Sequence, residues 1–125
     1  MLSQLSVKNL AVVERLDLSF EPGMSAVTGE TGAGKSILLQ ALGLALGVRA
    51  DSNLVRHGKD KADISAAFAV EHNQTVQEFL SENALEDEGE CILRRVITSD
   101  GRSKAFINGN SVPLSTVRNV GDLLL

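Results

Sequence analysis

Apolar and polar positions alternate from the start of the chain. Leu5 and Val7, then Val13, Leu16, Leu18 and Phe20, sit among polar residues, and this period of two predicts two strands with a bend near residues 9–12. Glu21-Pro22-Gly23 predicts a turn, and a short strand, Met24 to Thr28, follows it. From Ser36 to Leu46 the chain is apolar on nearly every face, which predicts a buried helix, with Gly47 placed to cap its C-terminus. Residues 48–60 are polar and irregular.

Alternation resumes at Ala62, Ile64, Ala66, Phe68 and Val70 and predicts another strand. Thr75 with Glu78 fits a capping box, so a short helix is expected from Val76 to Asn83, with Val76, Phe79 and Leu80 inward. Glu82, Glu86, Asp87, Glu88 and Glu90 form an acidic, solvated connection. Cys91–Thr98 and Arg102–Ile107 read as a hairpin joined at Ser99-Asp100-Gly101, and Asn108-Gly109 marks a further tight turn. Pro113 opens a last helix to about Val120, and Asp122 to Leu125 reads as the start of a buried strand. The expected fold is an α/β lobe with a mixed sheet around the helix that begins near Ser36.

The turn into that helix carries the chemistry. Gly29-Glu30-Thr31-Gly32-Ala33-Gly34-Lys35-Ser36 matches the P-loop pattern G-x-x-x-x-G-K-S/T. Gly29 and Gly34 lack a Cβ and let the backbone bend around a phosphate, and Gly32 adds freedom. The loop then presents a nest of N–H donors beside a helix N-terminus. Lys35 is expected to reach the β- and γ-phosphates of ATP, and the Ser36 hydroxyl to ligate Mg²⁺. A chance match in a chain of this length arises in well under about one case in a hundred. The flanking strand and helix are the context that the motif requires.

Composition narrows the partners. The chain has 125 residues, enough for one small domain or lobe, and 43% are hydrophobic. Only 3% are aromatic, so the core rests on aliphatic side chains. A net charge of −4 gives no global attraction to nucleic acid, so such a partner would need a local basic patch, a dimer groove or other parts of the protein. The single cysteine, Cys91, offers neither a disulfide nor a metal cluster and is expected to be buried in its strand. The N-terminal residues lack signal-peptide character, and the apolar stretch from Ile37 to Val48 is too short to span a bilayer. A cytoplasmic protein is expected. Hydrolysis also needs an acidic Mg²⁺ site and a residue that positions water. No Asp or Glu follows four consecutive large apolar residues, and Asp63 and Asp100 are poorly placed, so no complete catalytic set is expected.

The residues VKNLAVVERLDLSFEPGMSAVTGETGAGKSILLQALGLALG resemble the opening of the RecN family of SMC-like bacterial DNA-repair ATPases. RADSNLVRHGKDKADISAAF and ILRRVITSDGRSKAFINGNSVPLSTV extend the resemblance over essentially the whole chain. It implies that residues 1–125 are the N-terminal lobe of a split ABC-type ATPase head. A coiled coil and a C-terminal lobe, supplying the signature motif and acidic catalytic residues, then belong to other parts of the protein. It also implies an ATP-sandwiched head dimer and action on double-stranded DNA at breaks, with association to the nucleoid during repair. For the full-length protein it implies ATPase activity; for this chain alone that activity is left open. Arg56 falls near an arginine implicated in such heads in coupling DNA contact to turnover. The competing expectation is a surface arginine, free or paired with Asp51 or Asp60. A transporter ATP-binding subunit and a nucleotide-dependent interaction module without hydrolysis remain as alternative readings.

Overall fold

The first alternating segment makes a hairpin. β1 (Leu2–Leu10) pairs antiparallel with β2 (Val13–Ser19), from Gln4↔Ser19 to Leu10↔Val13. Asn9 and Ala11 both adopt positive φ at the bend, as the interruption at Asn9 predicts. The computed structural model describes residues 2–20 and 32–124, with side chains in those ranges except at 32–35 and Ser52. The expected turn at 21–23, strand at 24–28 and motif residues 29–31 lie outside the described residues.

β3 (Lys61–Ala69), β4 (Glu90–Thr98), β5 (Ser103–Ile107) and β6 (Asn110–Val112) complete a six-stranded sheet of order β2-β1-β3-β4-β5-β6. Each pairing among the described strands is antiparallel. Register places Leu18, Leu5, Ala66, Leu93 and Ile107 in one row across the sheet, and Leu16, Val7, Ile64, Arg95 and Ala105 in the next. Most members of these rows are buried, so the pleat sends one face of the sheet into the core. The other face carries Lys8, Arg15, Asp17, Asp63 and Arg94. On it Arg94 grips Asp63 from the neighbouring strand (Nε–Oδ1 3.0 Å, Nη2–Oδ2 2.5 Å) and stacks its guanidinium over Phe106.

The hairpin turns form where the sequence signals them. Between β4 and β5, Thr98 and Arg102 close the loop, and Gly101 takes the left-handed conformation (φ 92°) while Asp100 does not. Asn108 and Gly109 both have positive φ, as a two-residue type I′ turn requires, and β6 returns from it. The Asn108 side chain also accepts from Ile92 N and donates to Leu85 O, holding the β4 entry and the start of the acidic loop together.

Among the described residues three α-helices pack with the sheet. α1 (Gly32–Ala45) lies over β1, β3 and β4, while α2 (Gln74–Glu82) and α3 (Leu114–Leu124) touch each other and α3 leans on β5. α1 begins earlier in the motif than expected and is buried on one side only. Ala41, Leu44 and Ala45 are buried, whereas Gln40 and Leu39 (69% exposed) face away from the sheet. Apolarity all round does not require burial all round, and within the described residues a single face meets the sheet. Gly47 caps the helix as expected, in a Schellman turn with Val48 N–Gly43 O and Gly47 N–Leu44 O bonds and φ 106°.

Two expectations are corrected. α2 is capped by Asn73, whose Oδ1 accepts from Val76 N at 3.1 Å, and Thr75 lies inside the helix rather than at its cap. The C-terminal residues continue α3 through Leu124 instead of opening a strand. Val117, Val120 and Gly121 are buried and Leu114 and Leu124 pack on the core, a spacing of three and four that belongs to a helix.

Candidate nucleotide-binding site

α1 starts at Gly32, so Gly32, Ala33, Gly34 and Lys35 form its first turn and Ser36 the next position. The N–H groups of a first helical turn have no partner inside the helix. No acidic residue stands in this turn to compensate them, so the end of the helix keeps its partial positive charge. The motif residues therefore supply a helix N-terminus suited to an anion. Ser36 is exposed. Gly29, Glu30 and Thr31 lie outside the described residues, as do the side chains of residues 32–35.

The opposite end of α1 is held by two arginines that the sequence reading did not single out. Arg95 is 1% exposed, in the inward row of β4 between Ile64 and Ala105. Its Nη1 donates to Leu44 O (2.9 Å) and Val48 O (2.8 Å), and Nη2 reaches Ser103 Oγ (3.3 Å). Its Nε has no partner among the described residues. Arg118, from α3, donates Nε–H to Gly47 O at 2.8 Å. Burial, and then the charge of Arg118, pull the Arg95 guanidinium below its ordinary value. No carboxylate pairs with it among the described residues, and the negative C-terminal end of α1 stands in for one. Strand parity gives the signal: Cys91, Leu93, Arg95 and Ile97 alternate inward, so Arg95, not Arg94, had to enter the core.

Arg56 lies in the segment that returns from α1 to the sheet. A 3₁₀ turn, Ser52–Leu54, leads to Val55, which bridges Leu10. Arg56 N donates to Asn9 O and Ala11 N to Leu54 O, docking the segment on the β1–β2 bend. The guanidinium donates to Val12 O at 2.8 Å. The expected ion pair with Asp51 or Asp60 does not form; Asp51 instead accepts from Asn53 N. A shallow depression here is lined by Arg56, His57, Lys59 and Ser99 among others, and Lys8, Arg15 and Lys59 border the neighbouring surface.

The acidic residues weighed as Mg²⁺ ligands are occupied elsewhere. Asp63 is held by Arg94 on the outer sheet face, and Asp100 accepts from the Thr98 hydroxyl and Arg102 N in the hairpin. The Thr98 bond first, and the Arg102 N–H next, hold the Asp100 carboxyl below the usual range. Among the described residues no group of three His, Cys, Asp or Glu side chains is arranged to hold a metal. No helix among them is long and apolar enough to cross a membrane.

Comparison with known proteins gives this geometry a family. The model of the RecF/RecN/SMC N-terminal domain matches residues 1–123. The DNA repair protein RecN of Vibrio cholerae is 54% identical over 125 residues, and that of Bacillus subtilis 41% over 126. Each alignment takes in 100% of this chain but only 23% and 22% of the relative, so the chain spans less than a quarter of their length. Among solved structures, the Smc head domain with an extended coiled coil from Pyrococcus furiosus superposes with a TM-score of 0.80 at 22% identity, over 98% of this chain and 33% of that one. The recombination mediator RecF superposes with a TM-score of 0.70 at 19% identity, over 94% and 29%. At these identities the two structures establish the fold alone, an SMC-type head lobe built on a six-stranded sheet. On the span of the family match, and on a likeness to RecN that runs the length of the chain, this protein belongs to the RecF/RecN/SMC N-terminal domain family.

Proposed function

We propose that this chain is the ATP-binding lobe of a RecN-like ATPase that acts in DNA double-strand break repair and recombination. The carrying observation is that the motif GETGAGKS runs into the first turn of α1, on a fold shared with SMC heads. In this reading the backbone of residues 29–34 wraps the phosphates of ATP, Lys35 neutralises the β- and γ-phosphates, and the Ser36 hydroxyl ligates Mg²⁺. The residues that complete hydrolysis come from a C-terminal lobe joined through a coiled coil, and a second head closes over the nucleotide. Double-stranded DNA is the partner of the whole protein, which works in the cytoplasm and on the nucleoid during repair. The relatives favour the repair ATPase over a transporter subunit.

Calorimetry of Mg-ATP binding to the full-length protein and its Lys35→Ala variant tests the reading. Removing the ammonium deletes a charge-assisted contact of about 1.5–3 kcal/mol, or about a ten- to hundred-fold loss of affinity. Affinity equal to the parent's overturns the phosphate-loop assignment.

A further inference from the structure

The C-terminus of α1 is gripped more firmly than its own capping requires. The Schellman turn already engages Gly43 O and Leu44 O. Arg95 then takes Leu44 O a second time and Val48 O as well, and Arg118 takes Gly47 O. Two guanidiniums from two different elements, β4 and α3, thus converge on one helix end. The approach of α3 is close. A Cβ on Gly47 would lie 2.6 Å from Arg118 Cγ, and one on Gly121 would lie 3.1 Å from Leu46 O. Burying an unpaired charge is costly, and apolar residues of similar volume commonly replace buried ions without loss of stability. Stability alone therefore does not explain an arginine at position 95. A guanidinium whose Nη1 bridges Leu44 O and Val48 O while Nη2 reaches Ser103 Oγ does what an apolar side chain cannot: it ties the end of the helix to the sheet at a fixed height.

About eight residues of helix, roughly 12 Å, separate Leu44 in that grip from Ser36 at the end of the motif. A short helix packed on a sheet moves as a rigid body, so its far end inherits the position of the held end. We propose that Arg95 is a positioning residue for the phosphate-binding loop: with Arg118 as a second grip, it sets the height at which α1 presents residues 32–36 to the nucleotide. This rests on the reading of residues 29–36 as a phosphate loop.

The test uses the full-length protein with Arg95→Met, Arg95→Lys, Arg118→Ala and, as a control, Lys35→Ala. Denaturation midpoints and calorimetric affinity for Mg-ATP are measured for each. Arg95→Met is expected to keep a midpoint close to the parent's and bind Mg-ATP about ten-fold more weakly, with Arg95→Lys recovering part of the loss. Arg118→Ala, altered at an exposed residue, is expected to fold and bind a few-fold more weakly. A folded Arg95→Met variant with parental affinity overturns the proposal. If that variant does not fold, Arg118→Ala decides: parental affinity there overturns it. Weak binding by Lys35→Ala beside parental binding by both arginine variants rejects the positioning role and leaves the phosphate loop standing. Parental binding by Lys35→Ala removes the loop assignment, and the positioning role with it.

Discussion

Arg56 donates Nη1–H to the carbonyl oxygen of Val12 at 2.8 Å, tying the segment after α1 to the tip of the β1–β2 hairpin. The contact leaves the arginine half-buried, beside a surface that also carries Lys59, Lys8 and Arg15. The same side chain is thus a local clasp and a candidate phosphate contact.

Arg56→Ala in the full-length protein is expected to leave Mg-ATP affinity unchanged and to lower stability by about 0.5–1.5 kcal/mol through loss of the Val12 bond. If Arg56 touches DNA phosphate, the salt slope of DNA affinity falls by about one unit and DNA stimulation of turnover is blunted. A salt series with parental DNA affinity, together with parental stimulation, assigns Arg56 to the clasp alone.

At the start of α2 the competing caps give opposite forecasts. Asn73→Ala removes the acceptor for Val76 N and is expected to cost about 0.5–2 kcal/mol in urea denaturation. Thr75→Ala is expected to change stability by less than about 0.5 kcal/mol, because Thr75 is an exposed residue within the helix. A larger loss at Thr75 than at Asn73 restores the capping box.

Cys91 supplies a pH dependence. Burial pushes its thiol up to about 12 from an ordinary 9.0. The folded state therefore favours the protonated thiol more than the unfolded state does. Its contribution is fully present below about pH 9 and is lost as pH rises from there towards 12. Urea midpoints at rising pH should fall less steeply for Cys91→Ala than for the parent. Equal slopes would show that the thiol ionises as readily inside as outside. A thiol reagent at neutral pH is expected to label Cys91 only on unfolding.

Strands β1 to β5 and the turns between the described strands were legible because each carries its own local chemistry. Alternation at Ala62–Val70 and the Asp100-Gly101 and Asn108-Gly109 dipeptides located β3, one hairpin and a further tight turn without reference to anything distant, while β6 went unread. The misses share a different cause. Asn73 and Thr75 are both acceptable caps by type, and only the bond from Val76 N to Asn73 Oδ1 distinguishes them. The last residues, Asp122 to Leu124, read as a strand in isolation and as a helix once Val117 and Val120 are counted with them. Arg95 is the clearest case. Parity sends it inward, but its acceptors are Leu44 and Val48, some fifty positions earlier, and no local pattern reveals them. For the P-loop motif the reverse holds: it is explicit in the sequence, and its residues 29–31 lie outside those described.

The order of strands carries a consequence for how the chain acquires its shape. β1 sits between β2 and β3, and its ladder to β3 joins residues 2–8 to residues 63–68. From β3 onward, neighbours in the sheet are neighbours in the chain. The stretch from β3 to β6 can zip up through the α2 connection and two tight turns, whereas the N-terminal hairpin must wait for a closure that encloses the P-loop motif and α1. During synthesis β1 leaves the ribosome before β3, and it must wait for that second partner. Until then the apolar row of Leu5 and Val7 stays open to misdirected pairing.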